Sequence, residues 1–387
     1  MDNELISPGN QEELENNLRE MIITSLEEQG FIVENGNISL PSDLGKKKIR
    51  EMHNEAISCK LERAKKGLMR YENNLLSRLA SGTEVFPEKI EPRLQPVLPK
   101  TNDELLFRYL SLHWSIPVSS GYGRRLRFLV IDNHNEKVIG LFGLGDPVFS
   151  LGARDRWVGW SQEVRRTRLQ YAMDAFVLGA VPPYSYLLGG KLVALLVASQ
   201  EVLEAFRKKY KNHCSSISGK RQDGLLAMIT TTSALGRSSI YNRLRYKNEV
   251  VFQSVGFTSG SGDFHFSNGI YGELVKFAKI NCKPSAKREE WGTGFRNRRE
   301  VIRKVLATLG LSYQLTYHQI KREIFVVPLA ANTPQFLRGE DRDLNIYKRS
   351  IDSLFNCYRN RWLLPRSQWD FRYRQFNPES YLLWCKD

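Results

Sequence analysis

Short apolar runs separated by glycine and proline turns dominate the centre of this 387-residue sequence, and they limit what the chain can fold into. Residues 128–131 and 138–142 are two such runs, joined by a polar segment that suits a hairpin. A third run, 175–181, is stopped by two prolines, and a helical pattern over 190–210 follows it. Short apolar runs bounded by turn residues predict buried strands. Residues 101–270 therefore predict a mixed α/β domain.

The first hundred residues carry helical patterns instead. Apolar residues that share one helical face predict a first helix, namely Leu14, Leu18, Met21, Ile22 and Leu26. Asn35-Gly36, between two apolar triplets, predicts a small hairpin. Apolar residues in steps of three and four then predict one long basic helix over 46–79. Four prolines predict an extended connector after it.

The last third returns to an α/β pattern. A basic helix is predicted over 296–309 and a strand over 323–327. Aromatic and polar residues alternate over 369–374, which is typical of a half-buried strand, with exposed aromatics that stack on nucleic acid as the alternative.

These patterns divide the chain into four segments within a mixed α/β fold. The segments are an acidic helix plus hairpin (1–45), a basic helix with a proline-containing connector (46–100), a central mixed-sheet domain (101–270) and a C-terminal α/β extension with an Arg/aromatic tail (271–387).

The charge of the chain is strongly uneven. The formal net charge is +15, but residues 1–45 hold ten acids and only one base, Arg19. Subtracting that −9 leaves +24 on residues 46–387. A body this basic attracts polyanions, so nucleic acid is the predicted partner. Solvation alone is the alternative explanation, and a scaffold that binds acidic proteins is another.

Other partners and compartments are not expected. No apolar run approaches the ~20 residues of a membrane span, and the acidic start does not resemble a signal peptide. The five cysteines are widely spaced without a Cys-x-x-Cys pair, which argues against a disulfide framework or a zinc site. We therefore expect a cytoplasmic protein without a membrane or metal site.

Familiar catalytic motifs are missing. Gly189-Gly190-Lys191 resembles the end of a phosphate-binding loop, but Ser185 stands where that loop needs its first glycine, and Leu192 stands where it needs Ser or Thr. The sequence contains no Gly-x-Ser-x-Gly and no His-Glu-x-x-His. We do not predict an NTPase, and the catalytic residues of any other activity stay unassigned.

Basic residues beside glycines or predicted strands are the candidate DNA contacts, because guanidinium groups bind phosphate in a bidentate way. These residues are Arg124, Arg125, Arg127, Lys191, Arg237, Arg243 and Arg245. If Gly236 opens a helix, Ser238 and Ser239 lie at its positive end and favour an anion. Ordinary helix capping by these serines is the alternative.

Several runs resemble one known family. They are SSGYGRRLRFLV (119–130), ARDRWVGW (153–160), DAFVLGAVPPY (174–184) and TTSALGRSSIYNRL (231–244). Together they are similar to the DruA family of bacterial Druantia anti-phage defence systems, over roughly residues 90–340. The resemblance implies a component of a multi-subunit antiviral system that includes a helicase-like partner. It brings no catalytic motif with it.

The layout of the central domain also resembles an N-acetyltransferase core. That resemblance implies a pocket formed by Asp174, Gly189, Gly190, Ser238 and Tyr241. Tyr186 and Lys191 depart from the pattern of that family's cofactor loop. No cofactor is predicted for the leading hypothesis, a nucleic-acid-binding subunit. Acyl-CoA enters only under the alternative of an enzyme that modifies a nucleobase or a protein.

Overall fold

The computed structural model describes residues 8–119, 123–214, 219, 221–285, 291 and 295–384. The helices are α1 (Pro8–Glu28), α2 (Lys46–Glu51), α3 (Asn54–Leu68), α4 (Glu72–Leu76), α5 (Asn102–Leu110), α6 (Gly152–Val158), α7 (Gln162–Arg168), α8 (Gly189–Leu196), α9 (Gln200–Tyr210), α10 (Ile270–Asn281), α11 (Phe295–Thr308), α12 (Thr333–Arg338), α13 (Ile351–Tyr358) and α14 (Leu364–Ser367). The strands are β1 (Ile32–Glu34), β2 (Asn37–Ser39), β3 (Pro92–Pro96), β4 (Arg125–Asp132), β5 (Lys137–Gly145), β6 (Ala172–Ala180), β7 (Met228–Thr232), β8 (Arg245–Tyr246), β9 (Glu249–Val250), β10 (Gln253–Phe257) and β11 (Glu323–Pro328).

Seven of the described strands form one sheet, in the order β10-β11-β7-β6-β5-β4-β3. Neighbouring strands are antiparallel except β6 and β7, which are parallel. Helices α8 and α9 lie between β6 and β7 in the chain and form the crossover that a parallel pair requires. The mixed α/β fold predicted from the sequence is confirmed, and the predicted central hairpin is β4 and β5.

The parallel pair is joined over only part of its length. Residues 172–174 of β6 pair with residues 228–230 of β7, while β6 itself continues to Ala180. Just past the paired residues, the Thr231 hydroxyl donates to the carbonyl oxygen of Ala175 at 2.9 Å. Regular pairing of the two strands therefore ends at Asp174, and a side-chain hydrogen bond continues the contact at Ala175.

Helix α8 packs against the sheet through an almost wholly apolar sequence. Its residues 192–196 are each 1% exposed or less, and burying a side chain such as Leu192 contributes about 1.5–3 kcal/mol. At Gly140 of β5, a Cβ would come within 2.5 Å of the Gly179 carbonyl oxygen and 2.7 Å of the Val193 side chain. This close contact fixes α8 on the sheet, and its first residues lie at the far end of β6.

Two predicted long helices are interrupted. The prediction of one helix over 46–79 is wrong, because a turn at Met52 and His53 separates α2 from α3. His53 Nδ1 lies 2.7 Å from the carbonyl oxygen of Ile49, which a continuing helix would use as a backbone acceptor. The helix predicted over 190–210 is likewise two helices, because Ser199 has the extended backbone that precedes α9.

The predicted strand in the tail is also wrong. Residues Phe371–Gln375 form a 3-10 turn instead. The Asp370 carboxylate accepts the backbone N–H of Arg372 at 3.3 Å and caps the first turn. A capping aspartate before an aromatic run therefore outweighs the alternation of period two.

The chain forms two compact units, each assembled from separated segments. Unit 1 holds Met1–Arg63, Ser115–Pro117 and Thr258–Lys321, and unit 2 holds Ala64–Trp114, Val118–Phe257 and Arg322–Asp387. The seven-stranded sheet belongs to unit 2. The division into four consecutive segments stays a prediction.

Unit 1 contains the first predicted helix and the hairpin after it. Asn35 and Gly36 have φ values of 49° and 71°, and they join β1 to β2 as the sequence predicts. The apolar face of α1 is narrower than predicted, because Leu14 and Met21 are about half exposed. The residues of α1 that are buried are Leu18, Ile22 and Leu26.

The described residues contain no candidate membrane span and no candidate metal-binding cluster. Within that part of the chain, no helix has the length and apolarity to cross a membrane. No group of three or more His, Cys, Asp or Glu side chains is placed there to hold a metal ion.

Unit 1 contains a histidine that is buried among aromatic rings. His265 is fully buried between Phe264 and Phe266, and its Nε2 lies 2.8 Å from the carbonyl oxygen of Leu315. Burial lowers the pKa of His265 from 6.5 to about 4, against the opposing effect of the Leu315 hydrogen bond. The unfolded chain therefore binds a proton in a pH range where folded His265 does not.

We expect this histidine to stabilise the fold above about pH 6.5 and to lose that contribution as the pH falls toward 4. The lost contribution to the free energy of unfolding is about 2–3 kcal/mol at pH 4.5, because each pH unit corresponds to ~1.4 kcal/mol. Urea unfolding at pH 7 and pH 4.5 tests this with the wild type and His265→Gln. The free energy of unfolding is expected to differ less between the two pH values in the variant than in the wild type. An equal difference in both proteins would contradict the role given to His265.

Candidate nucleic-acid interface

The seven predicted basic residues fall into two groups, one near the start of β6 and one near the end of β6. Arg125 lies in register with Gly145 of β5, which pairs with Asp174 near the start of β6. Lys191 instead follows Ala180, at the other end of β6. Six residues of strand separate these ends, about 20 Å at ~3.3 Å per residue.

In the first group, two of the three guanidinium groups already bind other parts of the protein. Arg124 pairs with Asp146 at 2.7 Å and donates to the carbonyl oxygens of Gln170 and Ala172. Arg127 pairs with Glu104 at 2.7 Å. Arg125 is exposed. Gly121 and Tyr122, from the same predicted loop, lie outside the described residues, and a DNA-binding role for this group stays a prediction.

The second group belongs to the start of α8 and to the loop after β7. Lys191 Nζ donates to the carbonyl oxygens of Ser239 and Ile240 at 3.5 and 3.3 Å. Arg237 and Arg243 of this loop are exposed. Arg245 at its end is exposed as well, and donates to the carbonyl oxygen of Asn248 at 3.1 Å. The structure thus brings Lys191 to the arginine-bearing loop, although the two are far apart in sequence.

That loop does not open a helix at Gly236, as one interpretation required. The residues form turns, and Gly236 has a φ of +66°. The Ser238 hydroxyl oxygen accepts the backbone N–H groups of Ile240 and Tyr241 at 3.2 and 3.1 Å. Ser238 therefore caps a turn rather than the helix start that both interpretations assumed.

The predicted pocket residues lie on β6 (Asp174), at the start of α8 (Gly189 and Gly190) and in the loop after β7 (Ser238 and Tyr241). Asp174 is the last residue of β6 that pairs with β7, and it accepts the Thr230 hydroxyl at 2.7 Å. Desolvation raises the pKa of Asp174, against the lowering effects of the Thr230 hydrogen bond and of the charges of Arg154 and Arg322. Tyr241 stacks on Phe252 with ring centroids 4.7 Å apart, and burial raises its pKa.

The start of α8 is packed closely by neighbouring segments. A Cβ on Gly190 would lie 3.1 Å from the Ile240 side chain, so the loop covers the first turn of α8. The backbone N–H groups of Gly189 and Lys191 donate to the carbonyl oxygens of Tyr184 and Leu188, both at 2.9 Å. At Gly189 a Cβ would meet the Tyr184 carbonyl oxygen at 2.7 Å, so packing alone explains that glycine.

The tail adds a basic and aromatic surface that extends from Lys191. Lys191 Nζ lies 5.4 Å from the ring centroid of Trp362, with the guanidinium of Arg361 4.8 Å from the same centroid. One turn further, the Arg366 guanidinium lies 3.9 Å from the ring centroid of Trp369. We call this the Arg/Trp surface; it comprises Lys191, Arg361, Trp362, Arg366, Trp369, Phe371, Arg372 and Arg374.

Much of this surface is open to solvent. Trp369 is 63% exposed, and Phe371 is about half exposed beside Arg374, whose guanidinium lies 5.1 Å from its ring centroid. Arg366 is anchored by donating to the carbonyl oxygen of Tyr186 at 3.2 Å, and Arg372 lies 5.3 Å from the Tyr186 ring centroid. The tail aromatics that were expected mainly as packing residues are therefore partly available to a ligand.

One carboxylate lies beneath the Arg/Trp surface. Asp370 is buried and pairs with Arg366 at 2.5 Å and Arg372 at 2.7 Å. Hydrogen bonds from Arg372, followed by the charges of both arginines, hold the pKa of Asp370 well below its usual range. Asp370 orients two of the guanidinium groups. Because the Arg/Trp surface carries five basic side chains and this one carboxylate, the net charge of the surface stays positive.

Arg154, by contrast, serves the structure. Its side chain is fully buried and pairs with Asp155 at 2.7 Å. It also donates to the carbonyl oxygens of Val148 and Phe149. Asp155 in turn binds Arg165 at 2.8 Å. Arg154, Asp155 and Arg165 thus form a largely buried ion-pair cluster, whereas the neighbouring Arg156 is exposed.

The comparisons with known proteins point to one family. Residues 43–339 match the family model described as "Druantia protein DruA". A curated relative from Escherichia coli (strain UMEA 4076-1), named Druantia protein DruA, is 38% identical over 361 residues. That alignment covers 92% of this chain and 89% of the relative. No solved structure matches the chain significantly.

The chain belongs to the Druantia protein DruA family. It is therefore a component of a Druantia anti-phage defence system, as the runs quoted from the sequence implied. The Arg/Trp surface lies largely beyond residue 339, outside the part that the family model matches.

Proposed function

We propose that this DruA-family protein is the nucleic-acid-binding subunit of its defence system and holds DNA on the Arg/Trp surface. The observation that carries the proposal is the exposed Trp369 ring with the Arg366 guanidinium 3.9 Å from its centroid. Under this proposal a helicase-like partner acts on the same DNA in the cytoplasm.

The aromatic part of the surface suits unpaired bases. A stacked base would cover apolar ring surface of Trp369 and Phe371 that now faces water. Stacking on an aromatic side chain contributes about 1–3 kcal/mol per base and tolerates any sequence. Bases in a duplex are already stacked on one another, so we expect single-stranded DNA to bind better.

The basic part of the surface suits the phosphates between those bases. Lys191 and Arg361 flank Trp362 on one side, and Arg372 and Arg374 lie near Phe371 on the other. Arg366 is held between them by Asp370 and Tyr186. Phosphate contacts of this kind give binding with little sequence preference and a strong dependence on salt.

The arginine-bearing loop extends this surface. Because Lys191 contacts the carbonyl oxygens of Ser239 and Ile240, exposed Arg237 and Arg243 lie on the segment that flanks it. Under the proposal a strand that leaves Trp362 meets these arginines next. The group of Arg124, Arg125 and Arg127 lies at the other end of the sheet, and the proposal does not depend on it.

Replacing Trp369 by alanine is expected to weaken single-stranded DNA binding by about 5- to 100-fold, the loss of one stacked base. Trp369→Phe is expected to retain most of the affinity, since it keeps a ring. Fluorescence anisotropy with a labelled oligothymidine measures both variants.

Phe149→Ala is the matched control for Trp369→Ala. Phe149 is 48% exposed and lies under the Arg165 guanidinium at 4.7 Å, but it follows the end of β5 away from the Arg/Trp surface. If Phe149→Ala and Trp369→Ala reduced the affinity for single-stranded DNA equally, DNA would not bind on the Arg/Trp surface.

An enzyme is the second candidate function, favoured by the raised pKa of Asp174, where the β6–β7 pairing ends. In this alternative Asp174 and Tyr241 would take part in modifying a nucleobase or a protein. Thermal melting with acetyl-CoA tests the acyltransferase form, because a ligand at 100 times its Kd adds about 2.7 kcal/mol. An unchanged melting temperature would count against it, in line with the covered start of α8.

A further inference from the structure

A second basic surface lies in unit 2, and the proposed function does not use it. The last turn of α9 and the loop after it carry five exposed basic side chains. We call them the α9 basic cluster; they are Arg207, Lys208, Lys209, Lys211 and Arg221. Helix C-termini favour cations, but Arg221 lies well beyond the end of α9, so stabilisation of the helix does not account for the whole cluster.

The α9 basic cluster has a net positive charge. Arg207, Lys208 and Lys211 make neither an ion pair nor a side-chain hydrogen bond with another described residue. Two exposed carboxylates, Glu204 and Asp223, lie in the same segment. Five basic and two acidic side chains leave a charge of +3, so the segment attracts polyanions.

Backbone contacts hold the loop against the end of α9. The N–H of Asn212 donates to the carbonyl oxygen of Gln222 at 2.8 Å. The backbones of Cys214 and Arg221 form an antiparallel bridge. Arg221 is therefore held beside the end of α9 before any ligand binds, which lowers the ordering cost of binding.

The α9 basic cluster lies at the opposite end of β6 from the Arg/Trp surface. Lys209 Nζ and the Tyr210 hydroxyl both donate to the carbonyl oxygen of Arg125, at 2.7 and 2.8 Å, so α9 ends at the start of β4. The start of β4 is in register with the end of β5, which pairs with Asp174 near the start of β6. Lys191 instead follows the end of β6. Six strand residues at ~3.3 Å each separate the two surfaces by about 20 Å.

The two surfaces differ in their aromatic content. Phe206 and Tyr210 are the only Phe, Tyr or Trp residues between positions 200 and 224, and both are buried. The Arg/Trp surface, by contrast, exposes the rings of Trp369 and Phe371. A basic surface without exposed rings contacts phosphates but offers no stacking face. It therefore suits duplex DNA, whose bases are already stacked on one another.

From this geometry we infer that the protein binds a junction between duplex and single-stranded DNA. The duplex lies on the α9 basic cluster and the single strand lies on the Arg/Trp surface. The single-stranded arm rests on the proposed function, whereas the duplex arm rests on the α9 basic cluster alone. The separation of the two surfaces corresponds to about six base pairs of duplex at ~3.4 Å each.

Fluorescence anisotropy with the full-length protein tests this inference with three labelled probes. They are an oligothymidine, a blunt duplex, and the same duplex with the oligothymidine as a single-stranded tail. We expect the tailed duplex to bind about a hundredfold more tightly than either arm alone, because its second arm binds as an intramolecular event. Equal affinities for the tailed duplex and the oligothymidine would overturn the inference.

Replacing Arg207, Lys208 and Lys211 together by glutamine is expected to remove this gain and to leave binding of the oligothymidine unchanged. For the blunt duplex, the slope of log affinity against log salt concentration is expected to become shallower by about 2–3, since each phosphate contact accounts for ~0.9 with B-DNA. All three side chains are exposed, so the substitutions remove charge without changing the core.

The control removes three exposed charges from α2 in unit 1, by replacing Lys46, Lys47 and Arg50 with glutamine. Equal losses of affinity for the tailed duplex from the two triple variants would overturn the inference. Failure of the proposed function is seen with a different probe, as oligothymidine binding that Trp369→Ala does not weaken. Failure of the inference is seen as duplex binding that the α9 triple variant does not weaken, so the two failures are distinguishable.

Discussion

Replacing Lys191, Arg361 and Arg374 together by glutamine is expected to weaken single-stranded DNA binding by about a hundredfold at 0.1 M salt. The slope of log affinity against log salt concentration is expected to become shallower by about 2, since each lost phosphate contact accounts for ~0.7 with a single strand. These three bases border the aromatic rings of the Arg/Trp surface, and none of them pairs with Asp370, so its ion pairs stay intact. Fluorescence anisotropy across a salt series measures both quantities.

The control removes the same charge from another part of the molecule. Lys46, Lys47 and Arg50 are exposed on α2 in unit 1, and their replacement by glutamine changes the net charge equally. We expect a much smaller effect from this variant. If the two triple variants lost affinity and salt slope to the same extent, general charge rather than the Arg/Trp surface would explain DNA binding.

Replacing Arg154 by alanine is expected to lower the free energy of unfolding by about 3–5 kcal/mol, the range for breaking a buried ion pair. The substitution removes one of the two arginine partners of Asp155, the one at 2.7 Å, and removes the side-chain donor to the carbonyl oxygens of Val148 and Phe149. Arg154→Lys is expected to restore little, because one ammonium group cannot reach all of these acceptors in the same geometry. Urea unfolding followed by circular dichroism measures both losses.

Arg156 supplies the control for this prediction. It lies two residues further along α6, but its side chain is exposed. Arg156→Ala is expected to change the free energy of unfolding by less than about 0.5 kcal/mol. Similar losses from Arg154→Ala and Arg156→Ala would contradict the structural role given to the Arg154–Asp155 cluster.

The elements that could be predicted from the sequence are those whose signals are local. Apolar runs bounded by turn residues predict β4, β5 and β6, and Asn35-Gly36 predicts the β1–β2 hairpin. The errors arise where a local polar contact outweighs periodicity. The His53 side chain takes up the Ile49 carbonyl oxygen at a helix break, and Asp370 caps a 3-10 turn where alternation predicts a strand.

The Arg/Trp surface could be predicted only in part, because it joins residues that are far apart in the chain. The density of Arg and aromatic residues in the tail is visible in the sequence, but not its contact with Lys191. The sequence also does not show which arginines are engaged within the protein and which are exposed. Arg124 is engaged by Asp146 and two carbonyl oxygens, whereas Arg237 is exposed in a loop.

The measurement that tests the central proposal most directly is DNA binding by the purified wild-type protein across a salt series, with single-stranded and duplex probes in parallel. The Arg/Trp surface predicts binding that weakens steeply with salt and is tighter for the single strand, because its exposed tryptophan offers a stacking face to unpaired bases. Absence of binding to either probe at low salt, or binding that does not change with salt, would contradict the proposal that this DruA-family protein is a DNA-binding subunit.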